Sequence, residues 1–175
     1  MTGRTSDPKG HRMTQNRWSA DGDAVTIPLV PRWAKLRTSP AQRRLWFSEH
    51  LGQRGLEFVF PYALRLNGDL DVPALSQALD AVVARHESLR TTFSAVDGQP
   101  YQVLREHVPF GLAAVPVPGD GPHEREQNLT TLLRDVVQQP FDLEEGPIIR
   151  ARLFRLTDTD HVLLVVVHHI ATDGW

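Results

Sequence analysis

The apolar run Val162-Leu163-Leu164-Val165-Val166-Val167 constrains this chain more than any other stretch. Continuous branched and aliphatic residues, without polar alternation, read as a strand buried on both faces. It ends in His168-His169-Ile170-Ala171-Thr172-Asp173-Gly174. Two imidazoles, a carboxylate and a glycine therefore sit where a core strand stops and the chain turns, a rigid mount for a proton-transfer group beside a pocket.

Strand side chains alternate faces, so His168 and His169 are expected to point in opposite directions. That weakens a metal reading, because adjacent strand histidines do not readily reach one ion. The chain has no Cys and no second cluster with ligand spacing, so no metal site is expected. Two readings of the pair stay open on the residues alone. One is a pair of hydrogen-bonded histidines closing a strand. The other is a general base, since an unperturbed imidazole titrates at about 6.5. Asp173 either orients an imidazole or pairs with an arginine, and Gly174 permits a tight turn.

Upstream, Ser39 is a predicted N-cap with Pro40 in the first turn. Ala41, Leu45 and Ser48, with Trp46 and Phe47, predict a helix to about Leu51. Phe58-Val59-Phe60 and Ala63-Leu64-Arg65-Leu66 predict a strand, with Pro61 marking an edge or bulge. Asp71 and Pro73 open a second helix whose buried face is Leu75, Leu79, Val82, His86 and Leu89. Asp97-Gly98 predicts a hairpin turn, and a Pro/Gly-rich loop follows around 116–122. Leu129, Leu132, Leu133, Val136 and Val137 mark a third helix. Ile148–Leu156 and His161–Val167 form two further strands. The expected class is α+β, with helices packed on a largely antiparallel sheet. Residues 1–36 lack periodicity and are expected to be a disordered tail or linker.

Three segments resemble, in order, motifs of the condensation domains of non-ribosomal peptide synthetases. Ser39-Pro40-Ala41-Gln42-Arg43-Arg44-Leu45-Trp46-Phe47 resembles the first core motif. Arg85-His86-Glu87-Ser88-Leu89-Arg90-Thr91-Thr92-Phe93 resembles the second. His168-His169-x-x-x-Asp173-Gly174 resembles the signature shared with the wider superfamily of carrier- and coenzyme-A-dependent acyltransferases. The resemblance covers about residues 38–175 and includes the run from Pro140 through Gly146-Pro147 to Arg150.

It implies the N-terminal half of a chloramphenicol-acetyltransferase-like fold, over residues 37–175 and incomplete at its C-terminus. It also implies amide formation between thioesters on carrier proteins. By resemblance, His169 faces the reacting atoms, His168 supports the loop, Asp173 makes a structural ion pair and the Gly174 backbone approaches the oxyanion. Arg150 is a possible partner for Asp173. The implied partners are donor and acceptor carrier proteins, a neighbouring adenylation domain and the missing C-terminal subdomain. Substrates ride on phosphopantetheine arms, with no cofactor bound directly.

The first two motifs look most like those of domains joining an L-donor to an L-acceptor. Heterocyclisation domains, which carry aspartates for the histidines, are disfavoured. Epimerisation domains and acyltransferases making lipid esters stay as alternatives, as does a non-catalytic docking module or truncated remnant. The isolated fragment is expected to be inactive. Composition fits one ordinary globular core: 175 residues, 41% hydrophobic and 23% charged. A net charge of −2 argues against nucleic acid or an anionic membrane. The absence of Cys and of an N-terminal apolar stretch makes a cytoplasmic location the expectation.

Overall fold

The computed structural model describes residues 30–31, 35–52 and 56–172. Most of the expected tail over 1–36, together with Asp173 and Gly174, lies outside the described residues. The fold from Leu36 onward is built on β7 (Asp160–His168), which pairs antiparallel with β2 (Val59–Asn67) on one side and β6 (Ile149–Thr157) on the other. Strand β5 (Ala114–Pro116) adds to β6 in parallel, giving a four-stranded sheet in the order β2-β7-β6-β5. The apolar run thus occupies a central strand, and all of Val162, Leu163, Leu164, Val166 and Val167 are buried.

Helices cover both faces, as a strand buried on two sides requires. The face carrying Val162, Leu164 and Val166 packs with Trp46 of α1 (Pro40–His50) and with Leu129 and Val136 of α3 (Pro122–Gln138). The opposite face sets Ile149 and Val167 against Val83 of α2 (Val72–Arg85). A separate three-stranded sheet, β1-β4-β3, holds β1 (Leu36–Arg37), β3 (Thr91–Val96) and β4 (Gln99–Leu104). Its hairpin turns at Asp97 (φ 51°) and Gly98 (φ 72°), both left-handed, as a two-residue type I′ connection demands.

Two helical faces match their expected positions only in part. On α2, Val83 is buried whereas Val82 is 47% exposed, and His86 is exposed. His86 leaves the helix with extended backbone as its C-cap, so it is not the core histidine the periodicity suggested. On α1, Ala41 and Phe47 face solvent while Trp46 and Glu49 are buried. Ser39 caps α1 as expected: its Oγ accepts from Gln42 N at 3.1 Å, and Gln42 Oε1 accepts from Ser39 N at 2.9 Å, a reciprocal capping box. Order also begins earlier than that cap, because Leu36–Arg37 already pair with Tyr101–Gln102. Pro61 lies on β2, an edge strand, where its missing N–H costs no ladder bond inside the sheet.

Candidate active site

Strand β7 runs out at His168, whose side chain continues the Val162-Leu164-Val166 face and enters the core under α1. It is fully buried, between the rings of Phe58 and Phe141. Its Nδ1 accepts the N–H of Ile170 at 3.1 Å, so the ring proton is on Nε2. Nε2–H in turn donates to the buried carboxylate of Glu49 at 3.1 Å. His168 thereby caps the short 3₁₀ turn His169–Ala171.

Burial lowers the His168 pKa from its ordinary 6.5, against the opposing pull of the Glu49 carboxylate. Unfolding returns the ring to water and raises its pKa, so the unfolded chain takes up the proton first. The stabilisation is complete above pH 6.5 and is lost as pH falls below that towards the folded-state value. The slope is up to about 1.4 kcal/mol per pH unit for this one group. The urea midpoint should therefore drop between about pH 7.5 and about pH 5.5. An unchanged midpoint would contradict a His168 buried without charge.

The next residue leaves the strand geometry. His169 is half-buried at the start of the turn, edge-on to Phe60 with ring centroids 4.8 Å apart. Its Nδ1 lies 2.7 Å from the carbonyl oxygen of Thr172. A carbonyl only accepts, so Nδ1 carries a proton and the neutral ring keeps its lone pair on Nε2. His169 lines a cavity of about 410 Å³ with Ser39, Gln42, Arg44 and Thr172. The first motif thus borders the same cavity as the signature histidine. Gln42 also reaches the Ile170 carbonyl from Nε2 at 3.5 Å, a long contact between α1 and the turn.

Arg150 is not part of this cluster. Its guanidinium donates to the carbonyls of Val136, Gln139 and Pro140 at 3.2, 2.7 and 2.9 Å, closing the C-terminal end of α3, and sits 3.7 Å over the Phe141 ring. A cation there satisfies carbonyls that the helix leaves unbonded. Arg150 also borders a larger cavity of about 550 Å³, lined by Arg90, Arg105 and Pro147, away from His169. Among the described residues no group of three or more side chains is placed to hold a metal ion. Glu49 is the residue that sequence reasoning missed. Its signal was a carboxylate seven positions after Gln42, on the same helical face as Trp46, where a buried charge demands a partner.

The condensation-domain family model matches residues 34–175, most of the chain and every element just described. The chain belongs to the condensation-domain family. A linear gramicidin synthase polypeptide of Brevibacillus parabrevis is 42% identical over 155 residues, which is 89% of this chain and 2% of that protein. The X-domain from teicoplanin biosynthesis superposes with a TM-score of 0.70 at 37% identity, covering 84% of this chain and 29% of that one, and it is also solved in complex with OxyB. The first condensation domain of the calcium-dependent antibiotic synthetase, with a bound substrate analogue, gives a TM-score of 0.70 at 25% identity, covering 82% of this chain and 36% of that one. The α+β architecture is therefore the chloramphenicol-acetyltransferase-like one. This condensation-family chain spans about a third of the length of its solved neighbours.

Proposed function

We propose that this chain supplies the histidine-bearing wall of a condensation site that joins a donor acyl thioester to an acceptor aminoacyl thioester, each on a carrier protein. The observation that carries the proposal is the His169 Nδ1–H bond to Thr172 O, which leaves Nε2 as the ring's acceptor beside a cavity. The acceptor amine donates an N–H to Nε2, an orientation that aims the amine's own lone pair at the donor carbonyl. As the C–N bond forms, the proton passes to Nε2 and the C–S bond breaks. The same proton goes from Nε2 to the departing thiolate, which leaves as the donor arm's thiol and returns the ring to neutral. The lengthened chain ends on the acceptor carrier. Positioning and proton transfer each contribute, general-base help typically about 10²–10⁴-fold.

Around this step His168 supports the turn, and the family resemblance assigns Asp173 a structural ion pair and the Gly174 backbone a place near the oxyanion. The pairing of an L-donor with an L-acceptor goes with the first two motifs. Residues 37–175 would be the N-terminal subdomain, completed by a second subdomain in the longer protein, beside an adenylation domain. No helix of the described residues is long and apolar enough to cross a membrane. A cytoplasmic location goes with this reading.

A recruitment role is the second reading, favoured by the 37% identity to the teicoplanin X-domain, whose solved complex is with OxyB. Transfer between loaded carriers separates the two. Incubated with the complete domain, the acceptor carrier should gain the mass of the donor acyl group. Tight binding of a partner enzyme without any transfer would favour recruitment instead.

A further inference from the structure

Glu49 is a carboxylate in a place that does not need one for packing. It is 8% exposed, and its neighbour His168 is wholly enclosed between two phenylalanine rings. Burying a charge there costs several kcal/mol unless hydrogen bonds satisfy it. What the carboxylate supplies is an acceptor at a defined point, 3.1 Å from His168 Nε2.

The consequence runs through proton positions. An imidazole that donates from Nε2 must accept at Nδ1, and Nδ1 accepts from Ile170 N. That bond opens the turn His169–Ala171. The turn closes on Thr172, whose N–H donates to His169 O at 3.3 Å and whose carbonyl accepts from His169 Nδ1 at 2.7 Å. The Glu49 and Ile170 contacts thus set the proton of His168, and the Thr172 carbonyl sets that of His169.

We propose that Glu49 is a positioning residue: by accepting Nε2–H of His168, it locks the turn that holds His169 with its proton on Nδ1 and its Nε2 free. This rests on the reading of His169 as the residue facing the acceptor amine. Without the acceptor, Nε2–H of His168 is left buried and unpaired, a cost the ring relieves by moving its proton to Nδ1. Ile170 N–H then loses its partner, the turn loosens, and His169 relaxes towards the Nε2–H form that a free imidazole prefers.

The test is a long-range ¹H–¹⁵N spectrum of the histidine rings, recorded on the full 175-residue chain. At neutral pH, His168 should show its proton on Nε2 and His169 on Nδ1. Glu49→Met matches the length and removes the acceptor, so His169 should change from one tautomer to a mixture. Glu49→Gln keeps an acceptor oxygen and should restore the single tautomer. A wild-type His168 protonated on Nδ1 overturns the proposal by itself. So does a folded Glu49→Met chain with His169 unchanged, or a Glu49→Gln chain whose His169 is already mixed. Should Glu49→Met not fold, the wild-type and Glu49→Gln spectra still decide. No condensation assay enters, so this result and the condensation reading stand or fall separately.

Discussion

In the complete domain, His169→Ala should lower the rate of peptide transfer by about 10²–10⁴-fold while leaving the fold intact. The ring is half-buried at the surface of a cavity, not packed in the core, so removing it opens space without stripping support from β7. The hydrogen bond lost, Nδ1–H to Thr172 O, is a local one across the turn. The loss should fall on kcat more than on KM, because the Nε2 contact strengthens as the amine gives up its proton. His169→Asn keeps a polar side chain without an imidazole's proton-accepting nitrogen, so it should be similarly impaired. The measurement is single-turnover transfer with preloaded carriers, alongside a thermal unfolding curve of each variant. Transfer at the wild-type rate would remove His169 from the chemistry.

Leu164→Ala should destabilise the chain by about 2–5 kcal/mol, the range for a leucine truncated in a close-packed core. Leu164 is 1% exposed at the middle of the central strand, between Ala63 of β2 and Arg152 of β6 in register. Its face also carries Val162 and Val166 against α3, so no single neighbour can move in to refill the space. Domains of this kind have about 5–15 kcal/mol in all, which makes the loss a large share. By contrast, Leu64 on the edge strand β2 is 54% exposed, and Leu64→Ala should stay within about 0.5 kcal/mol. Urea melts decide: a lower midpoint at unchanged slope is expected for Leu164→Ala alone. Equal midpoints for the two variants would mean that β7 is not the mechanical centre of the fold.

Much of this was legible because the long elements are periodic. Strands β6 and β7, the Asp97-Gly98 hairpin and α3 follow directly from their apolar patterns. The short strands β1 and β5 were not legible. Two or three residues carry no periodicity, and only their partners, Tyr101–Gln102 and Leu153–Arg155, make strands of them. For the same reason the division into two sheets was invisible.

The buried faces of α1 and α2 include Leu45, Trp46, Leu75 and Leu79 as the spacing puts them, but leave Phe47 and Val82 to solvent. Val82 and Val83 are equally apolar, so tertiary packing alone chooses between them. His86 fits the helical spacing, yet the helix ends before it.

At the site, strand alternation set His168 and His169 on opposite faces, but His169 already belongs to the 3₁₀ turn, so the turn is what leaves it at a cavity while His168 is buried. The place of Glu49 on the Trp46 face of α1 was readable, but its partner was not, because His168 is 119 residues away and no local pattern links them. The family likeness named the histidines, but the position of each proton came only from the hydrogen bonds.

The most direct measurement uses an acceptor carrier whose phosphopantetheine arm ends in a bromoacetamide in place of the aminoacyl amine. Mixed with the complete domain, it should alkylate one histidine, and peptide mass spectrometry should place the label on His169. Nε2 is the nitrogen with a free lone pair, whereas Nδ1 is held by Thr172 O. A label on another residue, or none while the carrier still binds, would contradict a His169 that faces the acceptor amine.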